Sequence, residues 1–265
     1  MSKNIGLIKI KGKIGDMTFY NRKGKNIVKL ANDVDKSRIL KDPAYKRTRE
    51  NMAEFGGSAT IGKSFRLGFG MFARRFGGDN LIGRVVAIMH AIIARGAGKR
   101  GERSYNVVAN KDLLEGFEFN SKDKLQNFFN APYSISANAG RNEVTLVVPE
   151  FSTDAWMTAP EGASHFKLIC AIAVLSDFTK VPTSKKYEPV NPSVNELSAF
   201  AMSPEIPLGG TSGSELNLVA SLPGLPVIAA SAGVISTVAI EFYQEINSEL
   251  FLLATDNAMR VVKVF

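Results

Sequence analysis

The chain has 265 residues, of which 45% are hydrophobic and 22% are charged, and its net charge is +8 at neutral pH. A chain of this length and composition can fold around a substantial core, and it commonly divides into two units. The single cysteine, Cys170, excludes an internal disulfide framework, and two histidines, His90 and His165, are too few for the usual zinc sites.

The positive charge is concentrated in the first part of the chain. Residues 1–104 hold 23 of the 33 Lys and Arg and 8 of the 25 Asp and Glu, which gives a net charge of +15. Residues 105–265 hold the other 10 Lys and Arg and 17 Asp and Glu, which gives −7. We therefore expect two domains, a basic unit over residues 1–104 and an acidic domain over residues 105–265.

Residues 5–31 predict short strands. Apolar runs at 7–10, 17–20 and 27–30 are separated by turn residues, and residues 21–25 have the composition of a hairpin loop. The tip of this hairpin carries Arg22, Lys23 and Lys25. Such a tip is either a solvated turn or a basic finger that contacts a polyanion or an acidic neighbouring subunit.

Two helices are predicted next. The first has Asp42 as its N-cap and Pro43 at its first helical position, and Gly56-Gly57 ends it. The second, over residues 58–76, has an apolar stripe that we expect in the core, namely Ile61, Phe65, Phe69, Phe72 and Phe76. Its three glycines, which either allow close packing or break the helix, are Gly62, Gly68 and Gly70.

A third helix is predicted from Asp79, as its cap, to about Ala94. Its wide apolar face is expected to be buried and comprises Leu81, Ile82, Val85, Val86, Met89, Ile92 and Ile93. Basic side chains lie on other sides of the predicted helices. The candidate interaction residues in this region are Lys46, Arg49, Lys63, Arg66 and Arg74.

From Ser104 onward the pattern changes to that of short strands. One short helix is also predicted in this part of the chain, at residues 121–129. Residues 165–176 are apolar on both faces, as in a central strand. Further strands are predicted at 133–137, 143–149, 196–202, 215–221, 227–230, 234–243, 250–254 and 259–264, with a turn at Asn247-Ser248. This pattern predicts an antiparallel β-sandwich of the immunoglobulin or fibronectin kind and an α+β class for the whole chain.

Neither a secretory signal nor a membrane span is expected. The N-terminus lacks an apolar run followed by a small-residue cleavage site, so we expect a cytoplasmic protein. The stretch from Leu218 to Ile240 has no ionisable residue and is long enough to cross a membrane. Its sequence Pro223-Gly224-Leu225-Pro226, however, is typical of a turn between two strands.

The eight residues from Gly57 to Ser64 match the phosphate-binding pattern G-x-x-x-x-G-K-[ST]. A functional loop of this kind follows a buried strand and belongs to a parallel sheet, whereas this segment follows a charged helical stretch, residues 47–55. A glycine-broken helix start is therefore the favoured interpretation, and nucleotide binding at these residues is the lowest-ranked alternative.

Several short motifs are spread over nearly the whole chain. They are Gly12-Lys13-Ile14-Gly15, Tyr20, Lys23-Gly24-Lys25, Asp42-Pro43, Arg47-Thr48-Arg49-Glu50-Asn51, Glu54-Phe55-Gly56, Gly116-Phe117-Glu118-Phe119-Asn120 and Ile240-Glu241-Phe242-Tyr243-Gln244. In these motifs the chain resembles a family of uncharacterised bacterial proteins of similar length. The resemblance implies no known activity, cofactor or catalytic residue.

No catalytic residue, metal ligand, cofactor or small-molecule substrate is indicated. We expect a non-enzymatic structural or protein–protein interaction protein that self-associates, the basic N-terminal face of one copy contacting the acidic β-domain of another. The main alternative is a nucleic-acid-associated protein that uses the same basic face, since phosphate contacts need only suitably placed Lys and Arg. No zinc finger, aromatic RNA-binding signature or recognition helix accompanies that alternative.

Overall fold

The structure, a computed structural model, describes residues 2–3, 10–22, 24–30, 35–225 and 227–265. It divides into two compact units, Met1–Arg49 and Glu50–Phe265. The boundary expected at residue 104 therefore lies inside the second unit. The physical reason is that apolar residues from 61–93 and from 169–264 belong to one hydrophobic core. Part of the first predicted strand, residues 7–9, lies outside the described residues.

The first unit contains a small antiparallel sheet followed by short helical segments. Its strands are β1 (Ser2–Lys3), β2 (Gly12–Ile14), β3 (Met17–Arg22) and β4 (Lys25–Leu30), in the order β1-β4-β3-β2. β3 and β4 form the predicted hairpin, whose turn is stabilised by a 3.1 Å hydrogen bond from the Gly24 N–H to Asn21 Oδ1. After α1 (Lys36–Lys41), Asp42 caps a 3-10 turn at Pro43–Tyr45 and not the long helix predicted there.

One helix, α2 (Lys46–Arg75), replaces the two helices predicted on either side of Gly56-Gly57. These glycines do not end the helix, and Gly57 packs closely against a ring: a Cβ atom there would lie 2.4 Å from Tyr187. The predicted apolar stripe is confirmed as core, with at most 4% exposure in Ile61, Phe65, Phe69, Phe72 and Phe76. The break in α2 comes later, at Gly70, where φ is 50° and ψ is −115°.

The third predicted helix is α3 (Leu81–Arg95), which begins after Asn80 and is not capped by Asp79. Most of its apolar face is buried as predicted, but the Ile82 side chain is 61% exposed. A 3-10 segment (Val108–Leu113) and two short helices, α4 (Leu125–Phe128) and α5 (Thr153–Trp156), follow. The predicted helix at 121–129 is therefore reduced to about one turn.

The remaining strands of the second unit form three antiparallel sheets. They are β5 (Ser134–Ala137), β6 (Glu143–Val148), β7 (His165–Ser176), β8 (Phe178–Lys180), β9 (Tyr187–Pro189), β10 (Ser198–Met202), β11 (Ile206–Pro207), β12 (Leu216–Ser221), β13 (Ala232–Ile246), β14 (Glu249–Leu252) and β15 (Ala258–Val264). The large sheet has the order β10-β7-β13-β14, with β11 also paired to β7 and β15 to β13. The small sheets are β12-β6-β5 and β8-β9. Residues 227–230, predicted as a strand, are not one.

The large sheet is covered on both faces, because successive residues of a strand point to opposite sides. On one face Ile169, Ala171, Ala173, Leu175, Ile235 and Ala239 share a core with α2 and α3. On the other face Leu168, Cys170, Ile172, Val174, Val238 and Ile240 share a core with β6 and β12. A helical layer, the large sheet and the β12-β6-β5 sheet thus form three layers, and the α+β class is confirmed.

The stretch from Leu218 to Ile240 is part of β12, a turn and part of β13. Its lack of charge follows from burial, since β13 is buried along most of its length. Among the helices of the described residues, none is long and apolar enough to cross a membrane.

The contact between Gly57 and Tyr187 can be tested with a neighbouring glycine as the control. We expect Gly57→Ala to lower the free energy of unfolding by about 1–3 kcal/mol, because the Tyr187 ring must move and lose its 2.8 Å hydrogen bond to the Arg103 carbonyl. A Cβ atom at Gly56 would have no neighbour within 4 Å. Gly56→Ala should therefore raise the free energy of unfolding by about 1 kcal/mol, because alanine has the higher helix propensity. Urea unfolding followed by circular dichroism measures both values, and equal effects would contradict the close packing at Gly57.

Candidate functional site

The basic hairpin residues of the first unit lie at an exposed turn. Arg22 and Lys25 are cross-strand partners at the end of the β3–β4 hairpin, and both side chains are exposed. Lys23 lies outside the described residues. The two described residues are therefore placed as expected, at the tip of a basic hairpin.

The two basic candidates at the start of α2 differ from each other. Lys46 is exposed. Arg49 instead donates from Nη1 to the carbonyl oxygens of Ile39 and Asp42, at 2.7 and 2.8 Å. These carbonyls lie at the end of α1 and just after it, so Arg49 stabilises the first unit internally.

The other three predicted residues, Lys63, Arg66 and Arg74, surround one cavity. They follow one side of α2, beside the buried stripe, at intervals of three and eight residues. The cavity has a volume of about 350 Å³ and is lined by Lys63, Arg66, Leu67, Gly70, Ala73, Arg74, Leu81 and Ile82. The start of α3 therefore forms one wall, and this lining combines three cations with apolar side chains and contains no carboxylate.

Two glycines of α2 affect how this helix packs against α3 and where it is interrupted. At Gly62 a Cβ atom would lie 3.2 Å from Val85 Cγ1, so the missing side chain lets α2 and α3 approach closely. At Gly70 the backbone has a positive φ, which residues other than glycine rarely adopt, and the helix is interrupted there. Both roles considered for the glycines thus occur, at different positions.

Arg66 is the residue that distinguishes this cavity from an ordinary surface groove. Its Nη1 atom is buried and has no hydrogen-bond partner within the described residues. A buried donor without an acceptor costs about 1–3 kcal/mol, and more when the group is charged. Lys63 and Arg74 line the same cavity. Because both are positively charged, they repel the Arg66 guanidinium and cannot accept its hydrogen bond. Among the described residues, none supplies an anionic or hydrogen-bond-accepting group to Arg66 Nη1 at this place.

Arg84 of α3 also has a buried Nη1 without a partner in the part of the chain that the structure describes. The rest of its guanidinium is occupied: Nη2 donates to the Glu118 carbonyl, and the group lies 4.8 Å from the centre of the Phe117 ring. Burial lowers the pKa of Arg84, and the nearby Glu118 partly offsets this effect. Arg84 therefore connects α3 to residues 117–118 and is not a candidate for partner binding.

A second, apolar cavity lies beside the cationic one. It has a volume of about 530 Å³ and is lined by Phe55, Ala59, Ile82, Gly83, Val86, Ala87 and His90. Because Ile82 lines both cavities, we refer to the two together as the α2–α3 groove. Phe55 and Ile82 are 60% and 61% exposed. Exposed apolar side chains next to cations are typical of an interaction surface.

The segment from Gly57 to Ser64 does not form a phosphate-binding loop. It lies inside α2, where its backbone is helical, and Gly57 is covered by the Tyr187 ring. The Ser64 hydroxyl, which would hold magnesium in such a loop, donates to Glu196 Oε1 at 2.6 Å. The geometry required by the nucleotide-binding alternative is therefore missing at these residues.

Serine, histidine and carboxylate groups meet at the start of β7, but not as a proton relay. Ser164 Oγ lies 3.0 Å from His165 Nδ1, and Glu245 Oε2 lies 4.0 Å from the same nitrogen. A catalytic triad needs the serine and the carboxylate on opposite ring nitrogens. Cys170 is also a poor nucleophile, because burial raises the pKa of its thiol to about 12.

No group of three or more His, Cys, Asp and Glu side chains among the described residues could hold a metal ion.

Comparison of the chain with protein-family models, with curated proteins and with solved structures gives no match. The function therefore has to be argued from the site itself.

The unpaired state of Arg66 predicts an unusual mutational effect. We expect Arg66→Met to raise the free energy of unfolding by about 1 kcal/mol, because it removes a buried donor without an acceptor and one of three neighbouring cations. Arg and Met have similar helix propensities, so α2 itself is not weakened. Thermal unfolding at moderate ionic strength and low protein concentration, where we expect self-association to be weakest, measures the effect.

Arg95→Met is the matched control, since Arg95 is also on a helix but pairs with Asp112 at 2.7 Å on the surface. It should leave the free energy of unfolding within about 0.5 kcal/mol of the unsubstituted chain. A clear loss of stability in Arg66→Met would show that Arg66 makes favourable contacts in the isolated chain, and the argument for a missing partner would then fail.

Proposed function

We propose that this chain is a non-enzymatic interaction protein that self-associates, and that the α2–α3 groove is the basic surface through which one copy binds another. The observation that carries the proposal is the buried Nη1 of Arg66, which has no hydrogen-bond partner in the described part of the chain and lies in a cavity that Arg66 shares with Lys63 and Arg74. A group that is unfavourable in the isolated chain becomes favourable when a partner supplies an acceptor.

The shape and lining of the groove favour a protein partner. Nucleic-acid backbones are bound by cations that follow a row of phosphates, whereas these three cations surround a concave cavity with apolar walls. A protein segment can present a carboxylate beside an apolar side chain and so match both parts of the lining. The chain itself offers such segments, because residues 105–265 have 17 Asp and Glu against 10 Lys and Arg.

The acidic partner surface belongs to the β layers of the second unit. Packing of β12-β6-β5 on the large sheet supports a β-sandwich there, since both contribute apolar residues to one core. The immunoglobulin-like or fibronectin-like topology stays a prediction.

Self-association through the groove can be tested by neutralising its cations. We expect the triple substitution Lys63→Gln, Arg66→Gln and Arg74→Gln to dissociate the oligomer, because the acidic partner loses its counter-charges. Sedimentation velocity at low and high ionic strength provides the measurement, and salt should weaken the assembly of the unsubstituted chain.

A second triple variant controls for net charge. Lys111, Lys124 and Lys186 are exposed residues of the second unit outside the groove. Their joint replacement by Gln removes the same charge and should leave the oligomer intact. If both triple variants dissociate equally, the groove is not the binding surface.

Nucleic-acid binding by the first unit is the second candidate function. It is favoured by one observation: residues 1–49 carry 14 Lys and Arg against 4 Asp and Glu. If it is right, affinity for nucleic acid should fall steeply with salt, and replacing Arg22, Lys25 and Lys46 by Gln should flatten that dependence by roughly one counterion per lost phosphate contact. Fluorescence anisotropy with a labelled duplex and a labelled single strand provides the measurement. Undetectable binding at low salt would eliminate this candidate.

A further inference from the structure

We infer that the occupant of the α2–α3 groove is the β13–β14 hairpin of a second copy of this chain. This inference rests on the proposed function and names the partner surface. It starts from a second exposed feature of the same unit, whose chemistry is complementary to that of the groove.

The hairpin projects from the edge of the large sheet. Pairing between β13 and β7 ends at Tyr243, and beyond it β13 pairs with β14, which forms the edge of that sheet. Four large apolar side chains of this projection are 37–48% exposed: Ile246, Leu250, Phe251 and Leu252. Apolar side chains at the end of a two-stranded projection gain little from burial within their own chain, so they are available to a partner.

Each face of the hairpin combines a carboxylate with apolar side chains. Residues directly opposite each other in an antiparallel pair share a face, and the register pairs Ile246 with Glu249 and Glu245 with Leu250. The turn residues Asn247 and Ser248 have φ values of 53° and 65°, as in a tight two-residue hairpin turn. Residues 244–252 contain no Lys or Arg.

Within one copy the two carboxylates are hardly neutralised. The Glu249 side chain makes no hydrogen bond or ion pair within the described residues. Glu245 lies 4.0 Å from His165 Nδ1, which is charged only when the ring is protonated. The hairpin therefore has unneutralised acids beside apolar groups, and the groove has unneutralised cations beside apolar groups.

Charge also determines how two copies can combine. Two grooves facing each other would bring six cations together, and two hairpin faces that meet would bring two carboxylates together. Both symmetric arrangements are repulsive, whereas hairpin against groove pairs opposite charges. Ile246 or Phe251 can then contact the exposed Ile82, while a glutamate accepts the hydrogen bond that Arg66 Nη1 lacks. Because the hairpin and the groove are different surfaces of one copy, this contact produces a reciprocal dimer, a ring or a filament.

Charge reversal on each side tests this pairing. The groove variant is Arg66→Glu with Arg74→Glu, and the hairpin variant is Glu245→Arg with Glu249→Arg. We expect each variant alone to weaken self-association by roughly 100-fold or more, because it places like charges opposite each other. Mixing the two variants in equal amounts should restore assembly, since every contact between unlike copies again joins opposite charges. Sedimentation velocity and light scattering measure the size of the assemblies.

Glu150→Arg with Glu161→Arg is the matched control, since both residues are exposed and the change in charge is the same. It should assemble like the unsubstituted chain. Circular dichroism of every variant confirms that the fold is retained.

The outcomes separate this inference from the proposed function. If the groove variant dissociates while the hairpin variant still assembles, the groove binds another segment and the hairpin inference is overturned. If mixing does not restore assembly, the two surfaces do not meet and the inference is equally refuted. An unsubstituted chain that stays monomeric at all concentrations would reject both the inference and self-association.

Discussion

The contact between the apolar stripe of α2 and one face of the large sheet is the interaction on which the rest of the second unit depends. β7 and β13 are apolar at successive positions, so the sheet needs cover on both faces. Phe65 and Phe69 provide part of that cover and pack against Phe119, with ring centroids 5.8 and 5.3 Å from it. Burial of this stripe fixes the rotation of α2 about its axis, and this rotation turns Arg66 towards α3.

Polar contacts hold α2 in place towards both of its ends. Glu54, near the start of the helix, is 1% exposed and accepts hydrogen bonds from Arg103, which lower the pKa of its carboxyl group. At the other end Arg75 pairs with the buried Glu241 at 2.5 Å. In these places burial of a charge is matched by an opposite charge, as stability requires. Arg66 differs from these residues, because its buried donor has no partner in the described residues. This difference is the reason for proposing that the groove binds a partner.

Periodicity in the sequence was sufficient to predict the elements that are buried on a regular pattern, such as the α2 stripe and β7. It was insufficient where tertiary contacts determine where a helix ends or which residues are buried. Gly56-Gly57 was expected to end a helix, but the helix continues and Gly57 is enclosed by the Tyr187 ring. Ile82 was expected in the core because it belongs to a wide apolar face, and periodicity does not tell which edge of such a face stays uncovered. The cations of the groove were recognised, but their common cavity depends on how α3 packs against α2.

The distribution of charge between the two compact units connects the two candidate functions. Residues 1–49 have 14 Lys and Arg and 4 Asp and Glu, which gives a net charge of +10. Residues 50–265 have 19 Lys and Arg and 21 Asp and Glu, which gives a net charge of −2. The groove and the acidic hairpin both belong to the second unit, so head-to-tail assembly needs no residue of the first. The basic residues of the first unit therefore take no part in the proposed contact. A filament or ring would present that charge many times, and repeated weak phosphate contacts strengthen binding to a long polyanion far beyond that of one copy. As proposed, self-association and nucleic-acid binding therefore use different residues, and repetition of the basic unit is the way in which the first would strengthen the second.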